Sequence, residues 1–320
     1  MTDLAFRADV LKEDIVGRGY GLVDHDVPPD VIEAAIEAYA NFTDNHPNPK
    51  DYTMNSMLVD QNALDELDYS QDKQGKKWHK FRTNYPWHAK PDGFTDRSYE
   101  VEILRQYGRT VLGDEGSLLE DDPKEYYHYH PGSDAILEQR HVDFEWGPIP
   151  PEVYELHRQL KEIHEQAVIS IEGIFRALES DHPGLLSTRM SHEDLLVSPL
   201  RLLFYHPGQG PTLAAPHFDK AGFTMQIAES HIGLRVENPQ TENKELVRRS
   251  ADSGVVFPGL LWPDFFPQSD MRPAWHDVIN LPELNDGRDI RGLNCARWAL
   301  IFFANDTKTP VPQKEATHNR

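Results

Sequence analysis

From about residue 199 onward the chain breaks into short alternating segments, "LRLLFYH", "GFTMQIA", "IGLRVEN", "SGVVFPG" and "ARWALIFFAN", separated by Gly, Pro, Asn and Asp. Short strands with turn residues at regular intervals suggest a sandwich or barrel for this part. The texture upstream is different. Between Pro151 and Leu178, residues Val153, Leu156, Leu160, Ile163, Ala167, Ile171, Ile174 and Leu178 recur at three-or-four spacing, a long amphipathic helix of about seven turns. Gly19 to Phe42 starts as a short apolar strand, turns at Pro28-Pro29, and places Ile32, Ala35, Ile36, Tyr39 and Phe42 at helical spacing, with Asp30 as the expected N-cap and Glu33 three residues on. Residues 45–150 are polar and aromatic with no readable period. The expected fold class is α+β with a mainly β core, in one domain. Its parts are a helical N-terminal portion (about 1–180) ending in the long supporting helix, a β core (about 195–306) and a C-terminal tail (307–320).

Charge narrows the partners. Against 53 acidic residues stand 32 basic ones, a formal charge of −21, which repels a phosphate backbone unless the basic residues are segregated on one face. Nucleic acid is therefore not an expected partner. A local basic cluster, Lys73, Lys76, Lys77, Lys80, Arg82 and Lys90, is interleaved with Trp78, His79, Phe81, Tyr85 and Trp87. It reads either as a solvated face or as an attraction for a substrate bearing negative charge. The single cysteine, Cys295, excludes an intramolecular disulfide and any cysteine-cluster metal site. No apolar run approaches the roughly 20 residues that span a bilayer, and the N-terminal stretch lacks the apolar core of a signal peptide. No membrane association and a cytoplasmic location are expected.

The chemistry concentrates at "APHFDKAGFTMQIAESHIGLRV". In a strand, residues i and i+2 share a face, so His217 and Asp219 can address one ion while Phe218 points away. A second histidine from elsewhere completes two imidazoles and a carboxylate, the donor set of non-heme Fe(II) oxygenases. The spacing alone is weak, because "RHVDFEW" holds His141 and Asp143 at the same interval. Either pair by itself is ordinarily a surface or hydrogen-bonded pair.

Context separates them. "RLLFYHP", "HFDKAGFTMQIAESHIGLRV", "AWHDV" and "RWALIFFAN" follow one another in an order that resembles the 2-oxoglutarate/Fe(II) dioxygenases related to isopenicillin N synthase and the plant flavonoid oxygenases, and "GYGLVDHDVPPDVIEAAI" resembles that family's N-terminal segment. The resemblance runs from Gly19 to Asn305, residues 45–150 excepted. It implies a double-stranded β-helix, or jelly roll, as one catalytic domain. It also implies Fe(II) held by His217, Asp219 and His276, with 2-oxoglutarate and O2 as co-substrates and a small-molecule substrate. Arg297 then matches the residue that holds the distal carboxylate of 2-oxoglutarate, a task suited to a fixed, always-charged fork, and Tyr205 matches a tyrosine that helps it. The implied reaction is most often hydroxylation, with release of succinate and CO2. Asp219 argues against halogenation, which needs that ligand position free.

The pattern departs from the family in three places. Its Arg-x-Ser is Arg297-Trp298-Ala299 here, which removes a hydroxyl worth roughly 1 kcal/mol to the carboxylate. Leu203 stands where an asparagine is common. The stretch between His276 and Arg297 is long, so "LPELNDGRDIRGLN" reads as an inserted loop, and Arg288 and Arg291 compete with Arg297 for the carboxylate. Arg297 is preferred because it shares a strand face with Ala299 and Ile301. Two alternatives stay open. One is an Fe(II) oxidase or cyclase of the isopenicillin N synthase type, independent of 2-oxoglutarate, with Arg297 on the substrate's carboxylate. The other is a non-catalytic jelly-roll protein with zinc on the same three residues.

Overall fold

The computed structural model of the chain describes residues 8–45, 68–71, 77–80, 124–129, 131, 138, 151–205, 211–219, 221–250, 252–281 and 295–306. Its centre is a pair of antiparallel sheets. The larger has six strands in the order β1 (Gly21–Asp24), β10 (Ser253–Pro258), β7 (Phe223–Glu229), β12 (Arg297–Ala304), β5 (Leu200–Tyr205) and β4 (Lys124–Tyr129). The smaller has four, in the order β6 (Thr212–His217), β11 (His276–Ile279), β8 (Leu234–Glu237) and β9 (Lys244–Leu246). A separate hairpin pairs β2 (Asp68–Gln71) with β3 (Lys77–Lys80). From β5 onward the chain keeps crossing between the two large sheets.

Strand alternation sorts the core into two layers. On one face of the six-stranded sheet, Leu200, Leu202, Phe204, Phe223, Met225, Ile227, Leu300 and Phe302 join a cluster with the buried stripe of helix α3 (Pro151–Leu178). All eight positions of the expected helical stripe are buried. Each contributes roughly 1.5–3 kcal/mol if it is a full-sized aliphatic side chain. On the other face, Leu203, Tyr205, Val255 and Phe257 pack with Leu213, Ala214, Leu234, Val236 and Val278 of the smaller sheet. The candidate site lies on this second, inter-sheet side.

The N-terminal portion is less purely helical than the sequence suggests. Helices α1 (Ala8–Arg18) and α2 (Pro29–Asn45) form, but β1 and β4 are the two edge strands of the six-stranded sheet. Strand β1 is the short apolar strand expected ahead of α2, whereas β4 lies in the stretch without a readable period; pairing with β10 and β5 fixes both as edges. Helix α1 carries almost no periodic signal. Helix α2 starts at Pro29, with the Pro28 carbonyl accepting from the Val31 and Ile32 amides, so Asp30 lies inside the first turn rather than at the N-cap. Proline at the first helical position is pre-organised for it, and Asp30 still favours the positive end of the helix dipole.

Candidate active site

His217 is the last residue of β6 and His276 the first of β11, and the register of these neighbouring strands places the two directly opposite each other. Their rings lie 4.3 Å apart between centroids. Asp219 does not sit in the strand: β6 ends at His217, so the two residues do not share a strand face as expected, and Asp219 reaches the histidines from the following turn. Tertiary contacts shape that turn. The Leu260 amide donates to the Asp219 carbonyl at 2.9 Å, and the Gly259 amide donates to the Gly222 carbonyl at 3.0 Å. The approach is so close that a Cβ on Gly259 would lie 2.1 Å from the Ala221 carbonyl oxygen. Only glycine fits there.

The donor atoms are oriented as a metal site requires. His217 Nδ1 lies 2.7 Å from the Ala215 carbonyl and His276 Nδ1 lies 2.9 Å from the Ala274 carbonyl. A carbonyl only accepts, so both protons are assigned to Nδ1 and each Nε2 is left with its lone pair. These two Nε2 atoms lie 3.8 and 3.9 Å from Asp219 Oδ1. The other carboxylate oxygen is held by the Thr224 hydroxyl, which donates to Oδ2 at 2.8 Å. One lone pair from each of three residues therefore converges within 4.8 Å. Burial pushes the Asp219 carboxyl up, but His276, His217, the Thr224 hydroxyl and Arg201 together hold it below the usual carboxylate range. It is a carboxylate at neutral pH, as a ligand must be.

A second cluster lies along the same strand face. Arg297 opens β12 opposite Tyr205 of β5, with its guanidinium carbon 5.5 Å from the Tyr205 ring centre. Its side chain is almost wholly buried. Arg297 Nε donates to the His231 carbonyl at 3.0 Å, and Nη2 donates to Glu229 Oε2 at 2.5 Å and to Gln226 Oε1 at 3.4 Å. Arg249 donates to the other oxygen of Glu229 at 3.2 Å. Thr224 and Gln226 alternate with Phe223, Met225 and Ile227, so both point to the inter-sheet side of β7. Thr224 touches the Asp219 carboxylate and Gln226 touches Arg297, about 7 Å apart along the strand.

Of the residues singled out by sequence, the structure thus brings His217, Asp219 and His276 into one group and Arg297 and Tyr205 into another. His141, Asp143, Arg288, Arg291 and the tail 307–320 lie outside the described residues. So does the basic cluster, apart from the backbone of Lys77 to Lys80 in β3. Thr224, Gln226, Glu229 and Arg249 were not anticipated. Their signal was nevertheless present: Thr224 and Gln226 are polar positions on a strand reading as buried on both faces.

No known protein family profile matches the sequence, and no curated protein matches it. Solved structures do. A full-length Neurospora crassa protein in complex with α-KG is similar over 97% of this chain and 84% of its own, with 15% identity and a TM-score of 0.58. A Caulobacter crescentus protein named for the 2OG-Fe(II) oxygenase family is similar over 95% of this chain and 83% of its own, at 16% identity and a TM-score of 0.55. JOX2, solved with 2OG, Fe and JA, is similar over 99% of this chain and 76% of its own, at 18% identity and a TM-score of 0.52. The chain has the fold of the Fe(II)/2-oxoglutarate oxygenases.

Proposed function

We propose that the protein is an Fe(II)- and 2-oxoglutarate-dependent oxygenase that hydroxylates a small polar metabolite and releases succinate and CO2. In this reading the whole chain serves one catalytic domain, strands β5–β12 form its jelly roll, and it works in the cytoplasm, where the free Cys295 is at home. One observation carries the reading: the converging lone pairs of His217, Asp219 and His276 stand one strand repeat along β7 from the buried Arg297. Two imidazoles and one carboxylate suit Fe(II) with positions left open, and a buried guanidinium on the same strand face suits the far carboxylate of an oxo acid bound there.

Fe(II), when bound, supplies the redox chemistry that couples O2 to decarboxylation of the oxo acid and oxidation of the substrate. The chain's own residues position and shield. Ala215 and Ala274 keep the protons on Nδ1 of the two histidines, and Thr224 leaves only one Asp219 oxygen facing them. Arg297 holds the distal carboxylate of the co-substrate, with Tyr205 beside it. Leu203, Ala214, Val236 and Phe257 wall the inter-sheet space with apolar surface and exclude water. A small polar substrate is supported by the structurally similar Neurospora crassa complex that contains thymine beside α-KG. Negative charge on the substrate is supported by the aromatic and basic composition of residues 73–90 alone.

Anaerobic loading with Fe(II), followed by 2-oxoglutarate, tests the assignment. The expected result is a weak visible charge-transfer band that requires both, together with succinate formation in air, both lost in His217→Ala, Asp219→Ala and His276→Ala. A second reading, the 2-oxoglutarate-independent oxidase, draws on Ala299 and on the ion pair that Arg297 already makes with Glu229. Fe(II) binding with no response to 2-oxoglutarate would favour it. Tight zinc binding with no Fe(II)-dependent turnover of any kind would leave a non-catalytic metal protein.

A further inference from the structure

Arg297 Nη1 and Gln226 Nε2 are buried donors without a partner among the described residues, on two side chains that meet through Arg297 Nη2 and Gln226 Oε1. The orientation of the Gln226 amide follows from its neighbour. Arg297 Nη2 can only donate, so the atom facing it at 3.4 Å is the amide oxygen, and the NH2 group is the end left unsatisfied. Both side chains are more than nine-tenths buried. Leaving such groups unpaired is costly, so the arrangement awaits an acceptor.

The charges say which acceptor. Arg249 and Arg297 divide the single carboxylate of Glu229 between them, and the side chains of all three are nearly buried. Glu229 therefore does not neutralise Arg297 by itself, in a place where water does not reach the guanidinium. A ligand carboxylate carries one negative charge and only accepts hydrogen bonds, so it matches both the charge and the two free donors.

We propose, resting on the 2-oxoglutarate reading above, that Gln226 is a binding residue for the distal carboxylate, taking the place of the hydroxyl absent at Ala299. The Arg249–Glu229 pair holds Arg297 in position and sets the site to accept one monoanionic carboxylate and no more.

Calorimetric titration of Mn(II)-loaded protein with 2-oxoglutarate and, separately, with 2-oxopentanoate tests this. The second ligand has the same chelating end and no distal carboxylate. Gln226→Met, close in shape but without the donor, is expected to weaken 2-oxoglutarate about tenfold and leave 2-oxopentanoate unchanged. Gln226→Glu supplies an internal carboxylate to Arg297 and is expected to weaken 2-oxoglutarate more than 100-fold. Binding of 2-oxoglutarate to Gln226→Met within twofold of the parent protein overturns the proposal while the oxygenase reading stands. Equal weakening of both ligands overturns it too, by placing the effect at the metal. If the parent protein prefers 2-oxopentanoate or binds neither, the oxygenase reading falls and this proposal with it.

Discussion

Two clusters in this molecule have the same charge balance and opposite consequences. In the four-stranded sheet, Asp277 accepts from Arg235 Nε and Nη2 at 2.9 and 2.7 Å and from Lys244 Nζ at 2.6 Å, tying β11 to β8 and β9. In the six-stranded sheet, Glu229 accepts from Arg249 and Arg297. Each is one carboxylate between two cations. The difference is access to water: the Arg235 and Lys244 side chains are 34% and 21% exposed, whereas those of Arg249 and Arg297 are 6% and 2% exposed. Solvent completes the first cluster and screens its charge. In the second, Arg297 Nη1 is shut off from solvent and has no partner among the described residues, so a ligand can complete it. A buried ion pair is weak grounds for stability and good grounds for specificity when one of its donors is unused.

The largest expected effect tests that difference in stability. Glu229→Gln removes the carboxylate between two buried guanidiniums and should cost about 3–5 kcal/mol in urea unfolding. Asp277→Asn leaves cations that water can reach and should cost about 1.5–3 kcal/mol. Equal losses would break the comparison. Next comes binding. Arg297→Gln should raise the 2-oxoglutarate dissociation constant about 100-fold, equivalent to ~2.7 kcal/mol, while Arg235→Gln leaves it unchanged. Calorimetry on both variants decides.

A smaller effect is carried by pH. Burial pushes the Asp277 carboxyl up, but the hydrogen bonds and charges of Arg235 and Lys244 outweigh it and hold the group below the usual carboxylate range. Because the folded value is depressed, this stabilisation is full above the unfolded carboxylate value of about 3.9 and fades as pH falls through the folded one. Asp277→Asn should therefore flatten the acid limb of the stability profile below about pH 4, as followed by thermal melting across pH. The smallest effect sharpens the role of Gln226: Ala299→Ser restores the family hydroxyl, but with Gln226 already facing the carboxylate it should change 2-oxoglutarate affinity by less than about threefold.

Much of the fold was legible because periodicity reports amphipathicity directly. The helical stripe from Val153 to Leu178 repeats over about seven turns, and the apolar segments that become β5, β7, β8, β10 and β12 stand out because turn residues bound them. Strands β9 and β11 lie in polar sequence that no such segment marks. The His-x-Asp spacing singled out two side chains that do lie together, for a reason the structure amends: Asp219 meets the histidines through a turn held by Leu260 and Thr224, not through strand alternation.

By itself, then, the order of residues determined which segments have a buried face and which side chains carry ligand chemistry, since both are properties of a local stretch. The tertiary structure alone decided which of those side chains meet. His217 faces His276 only because β6 and β11 are neighbours in the sheet, and Arg297 finds Glu229 across 68 positions of sequence. Whether two cations around a carboxylate are satisfied or left wanting depends on their distance from water, and no local pattern encodes that distance.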